Sequence, residues 1–230
     1  MNFIYSILCA VVFCSFVQPA SAGVVTEGPF LSIVALANRF TGEIQLTSFK
    51  KVDRAFTLSI AHPGRPGKDS EGYDEVGFEL YNRSRFKISE YAMHVQPQIM
   101  EPNHDISEWV LLSAEVPYDS GVETLRLVYL GKARVDKQKS AADPVIRKIS
   151  VGMAEDSVRV QWDATSASPL TFDVVVSTDS GRTWMTYVVD TKSNHADLDK
   201  TNFPLRFIDV RVIANDGFRN AVAEVSFELP

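Results

Sequence analysis

Cysteine is nearly absent from this 230-residue chain: only Cys9 and Cys14 occur. Both fall inside an apolar run that is expected to be removed, so the remaining chain has no thiol nucleophile, no disulfide and no Cys-ligated zinc. Basic residues are outnumbered as well, 23 Lys and Arg against 29 Asp and Glu, for a net charge of −6. That balance lacks the basic footprint of a nucleic-acid binder and gives no broad attraction to anionic lipid. Helical periodicity is scarce throughout. So are the short catalytic signatures: there is no G-x-S-x-G, no H-E-x-x-H, no phosphate loop and no dinucleotide fingerprint. The four histidines, His62, His94, His104 and His195, show no metal-ligand spacing. No cofactor is expected.

What is present begins with an address. Residues 2–17 carry no charge, the run breaks at Pro19, and it ends in Ala20-Ser21-Ala22. An apolar stretch shorter than the roughly 20 residues of a membrane span, followed by a small-x-small site, reads as a secretory signal over residues 1–22. An exported chain held without disulfides is expected in a bacterial periplasm or at a cell surface, because small eukaryotic secreted domains are usually disulfide-rich. No transmembrane segment is expected after cleavage. The sequon Asn82-Arg83-Ser84 matters only in a glycosylating host.

From Gly23 onward the pattern is that of strands. Phe30–Leu36, a Gly-bearing turn and Glu43–Thr47 read as a hairpin, and Phe56–Ile60 and Val76–Tyr81 alternate with a period of two. Phe86–Ile88, Ala92–Val95, Trp109–Leu112 and Leu125–Tyr129 follow. Alternation buries one face and solvates the other, the habit of antiparallel sheets. Strands spaced in this way imply a β-sandwich-like domain over residues 23–135.

Around GKARVDKQKSAADP, from Gly131 to Pro144, the alternation lapses and Lys132, Arg134, Lys137 and Lys139 gather without an apolar face. The stretch reads as a solvated connection, with 136–143 as the linker proper. An exposed edge strand blunted by lysines is the competing reading. Residues 144–230 then carry about seven strand patterns, among them Val158–Trp162, Phe172–Val176 and Ile208–Ile213. The expected fold class is all-β, two antiparallel sandwiches in tandem.

Three stretches of the second half, VRVQWD from Val158, VSTDSGRTW from Val176 and VRVIANDGFRNA from Val210, resemble in type and order the fibronectin type III or immunoglobulin-like modules of bacterial exported proteins. The resemblance implies a sandwich with Trp162 in its core and implies no reaction. Ser177-Thr178-Asp179-Ser180-Gly181-Arg182-Thr183-Trp184 is also similar to the Asp-box turn, S-x-D-x-G-x-x-W. The residue types suit a structural turn: Asp179 accepts from turn amides, Gly181 takes positive φ, and Trp184 packs beneath. One copy does not make a propeller. Related calcium-binding modules carry carboxylates where this chain has Ala164-Thr165-Ser166-Ala167-Ser168, leaving Asp197, Asp199 and Asp216 as the acids from which a cage would have to be rebuilt.

Two further groups are candidates. The loop Ala61–Tyr73 is expected to be a long connection, and His62, Arg65, Lys68 and Tyr73 on it are candidates to contact a partner. Met93, His94, Met100 and His104 form a soft thioether–imidazole set that would suit copper, although neighbours in a strand point to opposite faces. The expected role is a non-catalytic exported module that binds a protein or surface polymer, or builds a homo- or hetero-assembly of the envelope. Two other readings stand beside it. One is a carbohydrate-active enzyme or glycan binder with its site in the first domain, and the other is a pilus-type chaperone, for which no basic anchor pair is visible.

Overall fold

The computed structural model describes residues 25–56, 60–67, 75–94, 108–203 and 207–229. The signal expected over residues 1–22 lies outside the described residues. Among the described residues there are fifteen strands and one short 3-10 helix, in the chain order β1 Val25–Asn38, β2 Ile44–Phe56, β3 His62–Pro63, β4 Glu75–Tyr81, β5 Lys87–His94, β6 Trp109–Pro117, β7 Thr124–Tyr129 and β8 Lys132–Gln138 in the first half. The second half holds β9 Val145–Ala154, β10 Ser157–Thr165, β11 Thr171–Ser177, β12 Met185–Thr191, β13 His195–Asp199, the 3-10 turn Lys200–Asn202, β14 Phe207–Asn215 and β15 Asn220–Glu228. Among the described residues there is no α-helix, and no helix is long and apolar enough to cross a membrane.

The first sandwich faces a three-stranded sheet, β2-β1-β6, against a five-stranded one, β3-β5-β4-β7-β8. Alternation dictates the core. Leu31, Ile33, Ala35 and Ala37 of β1 and Val110, Leu112, Ala114 and Val116 of β6 point inward from one sheet; Val76, Phe78, Leu80, Leu125, Leu127 and Tyr129 answer from the other. Each large apolar side chain so enclosed contributes about 1.5–3 kcal/mol relative to exposure. The second sandwich divides its seven strands into β13-β10-β9 and β12-β11-β14-β15. Its fourth strand joins the third at the edge of the larger sheet, the three-plus-four arrangement of a fibronectin type III sandwich. Val158, Val160 and Trp162 meet Phe172, Val174, Val176, Val210 and Val212 across it.

The connection differs from expectation. Residues 132–138, read as solvated chain, are β8, paired with β7 along its length. The reversal is tight because Leu130 and Gly131 both adopt positive φ, 51° and 69°, the conformation of a two-residue hairpin turn. Arg126 clasps Asp136 through two hydrogen bonds of 2.8 Å. The strand is hard to see in sequence because Val135 is its one apolar residue packed on the core. The edge-strand alternative is the arrangement present, and only residues 139–144 remain between β8 and β9.

The two halves are also tied by contacts that cross this boundary. Phe218, on the turn between β14 and β15, belongs to the first core rather than the second. Its ring meets Phe49 edge-on at 5.1 Å and lies 6.0 Å from Tyr118. Gly217 makes the approach possible: it sits at φ +101°, and a Cβ there would come within 2.5 Å of the Phe49 ring. Arg219 donates to the carbonyls of Ser140 and Ala142 and to the Asp143 and Asp216 carboxylates. Lys50 of β2 reaches Asp173 at 2.9 Å and Asp190 at 3.5 Å, and Asn220 donates to the Lys51 carbonyl. Part of the open edge of β2 is covered in this way.

Candidate functional site

Two of the four loop candidates are described, and both lie at the outer face of the five-stranded sheet. The segment expected as a free connection adds β3 beside β5, pairing His62 with Ala92 and Pro63 with Tyr91. It then crosses β4, where Pro66 lies over Gly77: a Cβ at Gly77 would fall 2.5 Å from the Pro66 ring. Carboxylates fasten it. His62 Nε2 lies 3.2 Å from Glu75, Arg65 lies 3.5 Å from Glu90, and the Gly67 amide donates to Glu75 at 3.0 Å. Lys68 and Tyr73 lie outside the described residues.

Beside this segment a row of charged residues runs across four strands. Register places Glu90, Glu79, Arg126 and Asp136 side by side on β5, β4, β7 and β8. Lys87 bridges Glu79 and Glu90 at 3.1 and 3.0 Å. Tyr81 donates its hydroxyl to Glu79, and the Arg126 guanidinium lies 5.2 Å from the Tyr81 ring centre. These contacts set the protonation states. Burial pushes the Glu79 carboxyl up, but hydrogen bonds from Tyr81 and Lys87 and the charges of Lys87 and Arg126 outweigh it and hold the group below its usual value. Burial and the bond to Glu79 raise the Tyr81 hydroxyl. Lys87 is raised by its bonds to Glu90 and Glu79, and Asp136 is lowered by the bond from Arg126.

Glu79 and Glu90 are therefore neighbouring carboxylates, the pair a glycosidase requires in outline. Acid catalysis needs one member kept protonated by a raised pKa. Glu79, held below its usual value, is not that member, and it shares Lys87 with Glu90.

The Asp-box-like turn is closed by its own side chains. Asp179 accepts from the Thr183 amide at 2.8 Å, the Thr183 hydroxyl at 2.7 Å and the Ser177 hydroxyl at 2.8 Å. Those bonds, led by the Thr183 amide, hold its carboxyl down at about 2. Gly181 sits at φ +79°, and the Trp184 indole donates to its carbonyl at 3.1 Å. The Arg211 guanidinium stacks 3.9 Å from the Trp184 ring centre. Every bonding partner is part of the turn or the adjoining sheet.

The three acids considered for calcium are each used elsewhere. Asp197 takes a two-pronged bond from Arg159, Asp199 caps the 3-10 turn through Thr201, and Asp216 holds the Phe218 and Arg219 amides. Among the described residues no group of three or more His, Cys, Asp or Glu is placed to hold a metal. Met93 packs against the first core. His94 ends β5, while Met100 and His104 lie outside the described residues. Trp162 packs against Phe172, the ring centres 5.3 Å apart and the planes tilted by 53°, and is 4% exposed.

No protein-family model matches the sequence, and no curated protein matches it. Solved structures that it resembles include a two-domain fibronectin type III segment of chicken tenascin, at 17% identity and a TM-score of 0.33, covering 89% of this chain and 96% of that one. The FN1–FN3 domains of chicken CNTN1 align at 8% identity and a TM-score of 0.34 over 90% and 96% of the two chains. A β-1,2-glucanase from Parabacteroides distasonis aligns at 11% identity and a TM-score of 0.31, covering 89% of this chain and 28% of the glucanase.

Proposed function

We propose that the chain is a non-catalytic exported module that binds another protein or a surface polymer, within the envelope or at the surface of a bacterial cell. The single observation that supports this most is the outer face of the five-stranded sheet. It carries ion pairs on four strands and is widened by the fastened His62–Gly67 segment. Recognition of a partner uses such a surface readily, since paired charges give specificity and register. The apolar leader ending in Ala22 supports export.

The test is capture of partners by the purified mature chain from the envelope fraction of its own host. Specific retention of a partner, weakened when Arg65 and Arg126 are both changed to Glu, is the expected result. Turnover of a substrate by the purified protein, abolished by one point change, would contradict the reading.

A further inference from the structure

At the margin of that face, β4 and β5 are joined by a turn over Asn82–Phe86 that is unusually well tied. The Asn82 side-chain oxygen accepts the Phe86 amide at 3.0 Å, and the Asn82 amide donates to the Phe86 carbonyl at 3.0 Å. The Arg85 amide donates to the Asn82 carbonyl at 2.9 Å, with Arg85 itself at φ +62°. Arginine pays a steric cost in that left-handed region, which local bonding offsets here.

This tied turn displays side chains that the fold does not use. Phe86 is 72% exposed and Ile88 43%. Neither belongs to a core. Among the described residues Arg83 and Arg85 have no carboxylate within ion-pair distance, whereas Lys87 beside them is held by two. A single exposed apolar residue calls for no account. An aromatic, an aliphatic and two arginines without a carboxylate partner among the described residues, all within six positions at a hydrogen-bonded turn, have the composition of an interface anchor. Because the backbone is already fixed, little ordering cost is left for binding.

We propose that this hairpin is a docking knob for an acidic, apolar segment of a partner protein. Phe86 and Ile88 bury against the partner's apolar side chains, and Arg83 and Arg85 pair with its carboxylates. A bilayer is the less suitable occupant. Polybasic lipid recognition takes clusters of about four to eight cations, and here two free arginines stand beside Glu79 and Glu90 on a chain of net charge −6. The proposal rests on the reading of the chain as a binding module and names the partner chemistry for it.

The experiment is a fluorescence-anisotropy titration of the full mature chain with a fluorescein-labelled octapeptide alternating Glu and Leu. An octapeptide alternating Lys and Leu is the control. The variants are F86S and R83E/R85E, used at temperatures where their melting curves match the wild type. Saturable binding of the Glu–Leu peptide that weakens at least tenfold in each variant and with added salt is expected, with no binding of the control. Absence of Glu–Leu binding, or equal binding by wild type and both variants, would overturn the knob. So would sedimentation with phosphatidylglycerol vesicles that depends on Phe86 while the peptide fails to bind. Envelope partners captured equally by wild type and variants would remove the knob while leaving the module reading intact. Peptide binding without any envelope partner would do the reverse.

Discussion

Trp162 carries a large share of the second core. Its ring is enclosed beside Phe172, and its indole N–H is buried without an acceptor among the described residues. Truncation of a core aromatic costs about 3–5 kcal/mol, so Trp162→Ala is expected to lower the melting temperature steeply. Trp162→Phe keeps much of the volume and removes a donor that earns nothing in its enclosure. Thermal unfolding should therefore rank Trp162→Phe well above Trp162→Ala, and equal losses would show that ring packing is not what matters there. Asp179 gives a pH prediction. Its folded pKa of about 2 lies below the ordinary carboxylate value, near 3.9 in unfolded chains. The turn thus gains stability that is fully present above about pH 4 and is lost as pH falls through about 2. Melting temperature followed from pH 5 to pH 2 should fall more shallowly in Asp179→Asn than in the wild type.

Strands rather than single residues decide how the outer face of the five-stranded sheet is built. Gly77 is the bare spot on β4 that lets Pro66 lie flat. Gly77→Ala is expected to lift the His62–Gly67 segment and cost about 1–3 kcal/mol as overpacking does. Limited proteolysis should then cut near Arg65 faster than in the wild type; an unchanged cutting rate would mean that the segment is held by its ion pairs alone. At this scale the sequence was readable wherever alternation was strong. β1, β4, β6, β7, β10 and β14 each present three or more inward apolar residues, and their strand signals are plain. β8 escaped because Val135 stands almost alone among polar neighbours, and its partner strand and positive-φ turn supply the order. β3 is two residues long and owes its existence to pairing with β5. The pairing of His62 with Glu75 and of Arg65 with Glu90 had no local signal, because register across strands creates it.

Across the whole molecule, the joint decides whether two sandwiches behave as one body. Phe218 lay in view within VRVIANDGFRNA, yet nothing in the order of residues tells which of two cores a phenylalanine enters. The positive φ of Gly217 and the nearness of Phe49 direct it into the first. Arg219 then gathers Ser140, Ala142 and Asp143 of the connecting chain. Both sandwiches are in this way joined by side chains of the β14–β15 turn. Loss of the ring should cost the first sandwich about 3–5 kcal/mol, although the residue lies late in the chain. Differential scanning calorimetry of the mature chain and of Phe218→Ala tests this most directly. A single cooperative transition in the wild type, separating into two in the variant with the first sandwich melting earlier, is the predicted result. Two independent transitions in the wild type, unmoved by the substitution, would contradict it.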